Sequence, residues 1–394
     1  MFQRSQLKTL NDRINESRKF IQVITGPRQV GKTMLIEQFM DESGFACHYA
    51  SADTAGLAEN VWIHQQWETA LLKMSTGNFP EIILILDEIQ KIDKWADTVK
   101  ARWDSDTLTH VPVKLVILGS SPLLVQKGLT ESLAGRFEVI AMQHWSLAEM
   151  ESAFNFTPEE FAWFGGYPGS VSLVKDEKRW KDYIVNSLIE TSITRDILLM
   201  TRIHKPALLR NLFYLGCAYS SQILSYTKML GQLHDAGNTT TLADYLHTLG
   251  SAGLLTGIEK WSGSRITKRS SSPKFQVLNT ALISSQNLMK FQDARNDLTF
   301  WGRIIESAIG SHLINGSASG NYEVYYWRDG NQEVDFILQQ NSKIVAIEVK
   351  SGLSGKTPGI KTFCNRYPAT RPLLVGFEGI PWQEFLRINP EGLF

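Results

Sequence analysis

A glycine-rich segment near the N-terminus constrains the fold more than any other feature of the chain. Residues 26–33 read GPRQVGKT, which fits the pattern G-x-x-x-x-G-K-[ST]. An apolar, β-branched run at 20–25 precedes it, and a helical pattern at 32–40 follows it. A strand, a tight turn and a helix in this order let backbone N–H groups converge on a phosphate. The segment therefore predicts an α/β fold with a phosphate-binding loop.

The residue types within this loop predict separate roles. Gly26 and Gly31 let the backbone curl so that its N–H groups point inward. Lys32 is expected to reach the β- and γ-phosphates of a nucleotide, and the Thr33 hydroxyl is expected to bind Mg²⁺. The alternative is a glycine-rich turn that binds nothing. The predicted nucleotide-binding residues are Gly26, Pro27, Arg28, Gln29, Val30, Gly31, Lys32 and Thr33.

Two more apolar segments end in polar residues that complete such a site. The run 82–86 is apolar on both faces and is followed by Asp87 and Glu88. Asp87 is predicted to hold Mg²⁺, and Glu88 is predicted to activate the attacking water. The run 113–118 precedes a polar pair predicted to orient that water, with an ordinary serine-rich turn as the alternative; the pair is Ser120 and Ser121.

Arg136 precedes the strand-like segment 137–142 and is the candidate arginine finger. Such a residue stabilises the charge that develops in the transition state. The finger could act across a subunit boundary, in which case the chain self-associates. A surface arginine or an ion pair within the fold is the alternative.

Strands alternating with helices over the first 150 residues predict a parallel sheet with helices on both faces.

Four segments in this order resemble a prokaryotic AAA+ ATPase family: GPRQVGKT, ILILDEIQ, VILGSS and SLAGRF. GGYP at 165–168, ITRDI at 193–197, EVDF at 333–336 and IEVK at 347–350 extend the likeness over nearly the whole chain. The resemblance implies an ATPase core, a helical lid, a winged-helix-like segment and a restriction-endonuclease-like terminus. Asn279 is one departure, because an aspartate is expected there.

These expectations divide the chain into four parts. Residues 1–145 form the ATPase domain and 146–205 a helical lid or linker. Residues 206–280 form a winged-helix domain. Residues 281–394 form an α/β domain with a PD-(D/E)xK nuclease-like core.

The middle of the chain suggests contact with nucleic acid. Two helical patterns, at 224–234 and 240–249, flank a polar turn and can form a helix-turn-helix. The stretch 256–275 is rich in cations and is expected to touch the phosphate backbone of DNA. Its alternative is a solvated loop used for protein contacts. The predicted DNA-binding residues are Lys260, Trp261, Arg265, Lys268, Arg269 and Lys274.

A second candidate site lies near the C-terminus. Period-two alternation places Glu348 and Lys350 on one strand face, and Asp335 on the preceding strand can lie opposite them. With Glu306 from a helix, this set resembles the PD-(D/E)xK nuclease core. The carboxylates could hold a second Mg²⁺ or Mn²⁺ and activate water. The alternatives are a surface Glu/Lys ladder and a nuclease fold that has lost activity.

Composition excludes several classes of protein. The 394 residues include 40 Lys and Arg against 40 Asp and Glu, and 43% are hydrophobic. A disordered or highly charged chain is therefore excluded. The three cysteines are scattered without a C-x-x-C pair, which predicts a reducing, cytoplasmic environment and no structural zinc. No apolar run approaches the roughly 20 residues that span a bilayer, so no membrane partner is expected.

The sequence thus predicts a cytoplasmic ATPase that uses ATP and Mg²⁺ and binds DNA. The alternative function is a nucleotide-dependent switch or scaffold that recruits a protein partner. In that case the nuclease-like domain is catalytically silent.

Overall fold

The computed structural model describes most of the chain. The described residues are 2–54, 59–119, 129, 132–198, 203–233, 237–263, 272–318, 321–350 and 358–394. They form two compact units, Met1–Met142 (unit 1) and Gln143–Phe394 (unit 2). Within the described ranges, no helix combines the length and apolar character needed to cross a membrane.

Unit 1 alternates strands and helices, as the sequence pattern predicts. Its helices are α1 (Ser5–Asn15), α2 (Lys32–Glu42), α3 (Glu59–Thr76) and α4 (Trp95–Thr109). Its strands are β1 (Ile21–Thr25), β2 (Ala46–Ser51), β3 (Ile82–Asp87), β4 (Val113–Gly119) and β5 (Phe137–Ala141). Among the described residues these strands form one sheet in the order β2-β3-β4-β1-β5, and every pairing is parallel.

Both faces of this sheet are covered, because alternate residues of each strand enter different cores. Leu84 of β3 packs in a cluster with Trp67 of α3. Its neighbour Ile83 packs in the opposite cluster with Phe39 of α2. The five consecutive apolar residues of β3, all buried, are therefore accounted for by the two apolar cores on either face of the sheet. The prediction of a parallel α/β sheet is confirmed.

Unit 2 begins with helices and ends with a sheet. Its helices are α5 (Leu147–Phe154), α6 (Pro158–Phe164), α7 (Glu177–Tyr183), α8 (Pro206–Ala218), α9 (Tyr226–Gln232), α10 (Thr239–Ser251), α11 (Ala281–Ser284), α12 (Phe291–Asn296), α13 (Leu298–Ser317), α14 (Pro358–Arg366) and α15 (Trp382–Phe385). Two π-helical segments, Ile184–Ile189 and Ser192–Leu198, follow α7. Capping boxes fix the starts of α5 and α6, where Ser146 and Thr157 bond reciprocally with Glu149 and Glu160.

The strands of unit 2 form a sheet that the predicted domain boundaries divide. They are β6 (Leu255–Lys260), β7 (Lys274–Val277), β8 (Glu323–Asp329), β9 (Gln332–Gln340), β10 (Lys343–Lys350) and β11 (Thr370–Gly376). In the described part of unit 2 their order is β11-β10-β9-β8-β6-β7. The hairpin β6–β7 joins the rest because β6 pairs in parallel with β8. The predicted boundaries at 205/206 and 280/281 therefore fall inside one compact unit.

Asn279, the departure noted in the sequence, is buried at a junction within unit 2. Its side-chain oxygen accepts hydrogen bonds from the backbone N–H groups of Gly166 (3.3 Å) and Ala281 (3.1 Å). Its amide nitrogen lies 3.2 Å from Nδ1 of His144. A Cβ on Gly165 would lie 1.9 Å from the Asn279 oxygen, and Gly165 has φ of +70°. Gly165 therefore makes room for this side chain.

Candidate functional sites

The predicted phosphate loop connects β1 to α2 and depends on glycine at two positions for different reasons. Gly31 has φ of +93°, a backbone conformation that L side chains rarely adopt. At Gly26 a Cβ would lie 2.1 Å from the backbone oxygen of Met142. Gln29 also has a positive φ, of +62°. The loop is therefore tightly curled at the carboxyl edge of the sheet.

Lys32 closes this loop from the first turn of α2. Its Nζ donates hydrogen bonds to the backbone oxygens of Gly26 (2.8 Å) and Pro27 (2.7 Å). The side chain is buried, whereas Thr33 beside it is exposed. An ammonium group held over a curled loop at a helix N-terminus favours an anion there.

Asp87 and Glu88 lie at the same edge of the sheet as the loop. Thr25 pairs with Gly119 of β4, and the preceding residue of β4 pairs with Asp87. Two strand spacings therefore separate the loop from Asp87, about 10 Å across the sheet. The structure thus brings together the loop, Asp87 and Glu88, as the sequence predicts.

Asp87 is a buried carboxylate that is fixed by hydrogen bonds. Its Oδ2 accepts from the hydroxyl of Tyr49 at 2.7 Å, and its Oδ1 accepts from the backbone N–H of Glu88 at 2.8 Å. Burial, together with the bond to this carboxylate, raises the pKa of Tyr49 well above its usual range. Tyr49 therefore remains a donor at any physiological pH. A carboxylate held in this way presents hard oxygen atoms of the kind that Mg²⁺ prefers.

Glu88 follows in a left-handed backbone conformation with φ of +52°. Its Oε2 accepts from the side-chain amide of Gln90 at 2.7 Å and lies 3.8 Å from Nζ of Lys91. Lys91 also pairs with Asp53. The Glu88 carboxylate is only partly buried, so water can reach it.

Arg136 is far from this edge within its own chain. Its backbone oxygen accepts from the N–H of Ile21, at the start of β1, whereas the loop leaves from the end of β1. Because β1 has five residues, the two edges lie about 15 Å apart. The guanidinium makes a two-pronged ion pair with Asp104 at 2.7 and 3.0 Å. This hydrogen-bonded pair lowers the pKa of Asp104 and raises that of Arg136.

Arg136 therefore does not join the phosphate loop of its own chain. The other residues predicted to orient water, Ser120 and Ser121, lie outside the described residues.

The second candidate site is assembled in unit 2. Asp335 of β9 accepts from the backbone N–H of Val349 at 2.8 Å, which ties it to the strand bearing Glu348. Glu348 forms an ion pair with Lys350 at 2.7 Å. Helix α13 supplies Glu306. These four predicted residues lie in one cluster of charges. The acid cluster, as we call it, consists of these four residues and the two described next.

Two further residues, Lys274 and Glu333, belong to the acid cluster. The Nζ of Lys274 lies 2.7 Å from Glu306 Oε1, 3.5 Å from Asp335 Oδ1 and 3.8 Å from Glu333 Oε1. The lysine is 0% exposed, and its Nζ also lies 4.7 Å from the ring centroid of Phe336. The prediction that Lys274 contacts DNA is therefore wrong, because its ammonium group is enclosed by carboxylates.

Burial and mutual repulsion change the proton affinity of these acids. Burial, with Asp335 nearby, raises the pKa of Glu348 to about 7. Burial also raises the pKa of Glu306 to about 7, although Lys274 opposes the shift. The pKa of Glu333 is raised for the same reason. Among the described residues, no group of three or more His, Cys, Asp or Glu side chains is arranged to hold a metal ion.

The remaining DNA-binding predictions have different outcomes. Trp261 is 5% exposed and packs its ring against Phe363 and Tyr367. Its Nε1 donates to Gln339 at 3.0 Å, so it is a core residue, and the prediction that it contacts DNA is wrong. Lys260 lines a cleft of about 420 Å³ with Ile223, Ser272, Tyr326, Arg328 and Gly330. The other three, Arg265, Lys268 and Arg269, lie outside the described residues.

Three residues have roles in these sites that the sequence did not predict: Tyr49, Lys274 and Glu333. Glu333 shares a strand face with Asp335, so period-two alternation could have identified it. Lys274 starts the apolar strand β7, and a lysine in such a strand is a signal for a buried charge with partners. No sequence signal pairs Tyr49 with Asp87, because that contact depends on the order of the strands in the sheet.

Family models match three consecutive parts of the chain. Residues 18–151 match a model described as an AAA domain. Residues 156–293 and 301–379 match two models described as domains of unknown function, DUF8612 and DUF4143. The first match covers the phosphate loop, Asp87, Glu88 and Arg136.

Relatives from distant organisms align over most of the chain. An uncharacterized protein of Mycobacterium tuberculosis is 24% identical over 339 residues, 83% of this chain and 69% of its own length. One of Methanocaldococcus jannaschii is 24% identical over 367 residues (87% and 78%). One of Haemophilus influenzae is 22% identical over 347 residues (84% and 82%).

Solved structures give only weak overall likenesses. The Thermotoga maritima RuvB Holliday junction branch migration motor has a TM-score of 0.33 at 15% identity, covering 64% of this chain and 86% of that one. The Aeropyrum pernix ORC1 protein in complex with DNA has a TM-score of 0.32 at 12% identity (69% and 88%). Both scores are too low to support a shared overall fold. Residues 18–151 therefore match an AAA domain, and their parallel sheet and phosphate loop are consistent with that match.

Proposed function

We propose that unit 1 binds ATP with Mg²⁺ and hydrolyses it. The observation that carries this proposal is the arrangement at one sheet edge: the curled loop held by Lys32 lies about two strand spacings from Asp87 and Glu88. An anion site, a fixed carboxylate and an accessible carboxylate are the groups that nucleotide hydrolysis needs.

Each residue has a role in this proposal. Loop N–H groups and Lys32 hold the phosphates, and Glu88 accepts a proton from the attacking water. The Thr33 hydroxyl and the Asp87 carboxylate fit Mg²⁺, since both offer oxygen atoms and Asp87 is already oriented by two hydrogen bonds. Bound Mg²⁺ would neutralise part of the phosphate charge.

The test is the rate of ATP hydrolysis by Lys32→Ala. We expect the rate to fall at least a hundredfold, because the positive charge over the loop is lost. Lys8→Ala, an exposed lysine on α1, is the matched control and should turn over like the wild type. Glu88→Gln should bind ATP but hydrolyse it slowly. Unchanged turnover by Lys32→Ala would refute the proposal.

We also propose that unit 2 binds DNA through the cleft that Lys260 lines. Arg328, exposed on β8, supplies a second cation at the same cleft. Three helices (α8, α9, α10) followed by the hairpin β6–β7 support a winged-helix arrangement. An isolated antiparallel β-bridge between Ile223 and Lys274 of β7 is a further contact in this region. Helix α10 carries no Lys or Arg, so the cleft is the better candidate surface for phosphates.

Fluorescence anisotropy with duplex and single-stranded DNA tests this surface. Replacing Lys260 and Arg328 together with Gln should weaken binding about tenfold or more at low salt and lower its salt dependence. Lys343→Gln, an exposed lysine on β10, is the control. If the wild type binds no DNA at low salt, the protein-scaffold alternative is favoured.

For the C-terminal region we propose a PD-(D/E)xK-like core that is catalytically silent. Lys274 supports this form of the proposal, because its ammonium group lies among the carboxylates that a nuclease would use for metal. A nicking assay with Mg²⁺ or Mn²⁺ should show no cleavage by the wild type. Cleavage that Asp335→Ala abolishes would instead establish an active nuclease.

A further inference from the structure

The Lys274 side chain is enclosed in unit 2 by groups that accept hydrogen bonds. It comes from the edge strand β7, and its Nζ contacts Glu306 on helix α13 at 2.7 Å. The same Nζ lies 3.3 Å from the backbone oxygen of Asp335 and 3.5 Å from its Oδ1. A lysine that is 0% exposed thus lies at the centre of the acid cluster.

These distances fit an ammonium group and leave no room for a metal at the same point. Divalent cations bind oxygen atoms at about 2.0–2.6 Å. The acceptor atoms around the Nζ of Lys274 lie at 2.7–3.8 Å, as expected for N–H···O contacts and longer ion pairs. The carboxylates that the nuclease-like core would use are therefore spaced around a cation that the chain itself provides.

The acid cluster also retains unused binding capacity. Glu348 is 6% exposed, and its Oε2 is buried without a hydrogen-bond partner in the described part of the chain. Among the described residues, the four carboxylates of the cluster face three cations, namely Lys274, Lys350 and, 4.0 Å from Glu333, Arg328. An unpartnered buried carboxylate oxygen beside excess negative charge is a group that a small cation would satisfy.

We propose that Lys274 takes the place of a divalent cation in the acid cluster. The wild-type cluster then binds no Mg²⁺ or Mn²⁺, and a neutral side chain at position 274 opens a site formed by Glu306, Asp335 and Glu348. This inference deepens the proposal of a silent nuclease-like core. Metal binding and DNA cleavage are measured separately, so either proposal can fail without the other.

The test measures Mn²⁺ binding to the whole chain in the absence of nucleotide. Electron paramagnetic resonance detects the bound ion. All proteins carry Lys32→Ala, so that the phosphate loop contributes no metal site. Lys274→Gln should bind one more Mn²⁺ per chain than the Lys32→Ala parent. The added site should bind Mn²⁺ at least tenfold more tightly than any Mn²⁺ site of that parent. Adding Asp335→Asn should abolish the new site, and Lys343→Gln should gain none.

Two results would overturn the proposal. One is a Mn²⁺ site in the Lys32→Ala parent that Asp335→Asn removes, since the cluster would then hold metal beside Lys274. The other is a folded Lys274→Gln protein without an added ion. If Lys274→Gln unfolds in chelator, Mn²⁺ should restore its thermal transition. A failure of Mn²⁺ to do so, for this variant and for Lys274→Met, would equally contradict the proposal.

Discussion

Single side chains decide how well the carboxylate beside the phosphate loop is oriented. Tyr49 donates to Asp87 Oδ2 at 2.7 Å from the neighbouring strand β2. Tyr49→Phe removes this bond and leaves the ring. Because a hydrogen bond to a charged group contributes roughly 1.5–3 kcal/mol, we expect the apparent Mg²⁺ requirement of the ATPase to rise about tenfold or more.

A double-mutant cycle separates this positioning role from a general effect on the fold. In an Asp87→Asn background, Tyr49→Phe should change the Mg²⁺ requirement little further. Equal effects of Tyr49→Phe in both backgrounds would show that the hydroxyl acts on something other than Asp87.

The Asn279 side chain is expected to contribute to the stability of the fold. Asn279→Ala removes the acceptor for two backbone N–H groups, those of Gly166 and Ala281. Each buried donor left unpaired destabilises a fold by roughly 1–3 kcal/mol. We therefore expect a clear drop in the free energy of unfolding, measured in urea. Asn296→Ala, at an exposed position on α12, should change it little.

At the scale of elements, the phosphate loop depends on the close approach of β1 and the end of β5. Gly26→Ala would place a Cβ 2.1 Å from the Met142 oxygen, so the backbone must move. We expect a loss of about 1–3 kcal/mol in the free energy of unfolding, together with weaker ATP binding. At Gly231, on helix α9, a Cβ meets nothing within 4 Å, so Gly231→Ala is the control. Equal stability of both variants would contradict the steric explanation.

The strands β9 and β10 give the acid cluster a pH dependence. Because the pKa of Glu348 is raised to about 7 in the folded state, the folded chain holds a proton that the unfolded chain releases. Stability therefore falls as pH rises from about 4.5 to about 7. Glu348→Gln, which cannot ionise, should match the wild type near pH 5 and exceed its free energy of unfolding at pH 8. A difference that does not change with pH, or an equal gain from the exposed Glu323→Gln, would contradict this assignment.

Elements with a local signal were predictable from the sequence, whereas contacts between distant elements were not. Strand β3 and the phosphate loop carry their own patterns, namely five consecutive apolar residues and a spaced glycine pair. The role of Lys274 depends on β7 joining a hairpin, and on that hairpin pairing with β8 some fifty residues later. A cluster of cations around Trp261 therefore suggested a DNA contact, although both Lys274 and Trp261 are buried.

In the molecule as a whole, the predicted arginine finger of unit 1 does not lie at the phosphate loop, where Lys32 is placed to bind phosphate. Arg136 lies at the opposite sheet edge, paired with Asp104 and about one-third exposed. A guanidinium at that edge does not reach the loop of its own chain, so we propose that it acts at the loop of a second copy. The AAA-type domain would then hydrolyse ATP only in an assembly, with each subunit completing its neighbour's site.

If Arg136 acts between subunits, two inactive variants should complement each other. Lys32→Ala lacks a working loop but keeps Arg136, and Arg136→Ala has the opposite defect. In a one-to-one mixture, half the subunits have a working loop, and half of those have a neighbour with the arginine. The mixture should therefore recover about one quarter of wild-type ATPase activity, provided that subunits exchange freely. Dilution should reduce the recovered rate per subunit. Light scattering should first show that mixed assemblies form. If the mixture then gives only the sum of the two residual rates, Arg136 does not act between subunits.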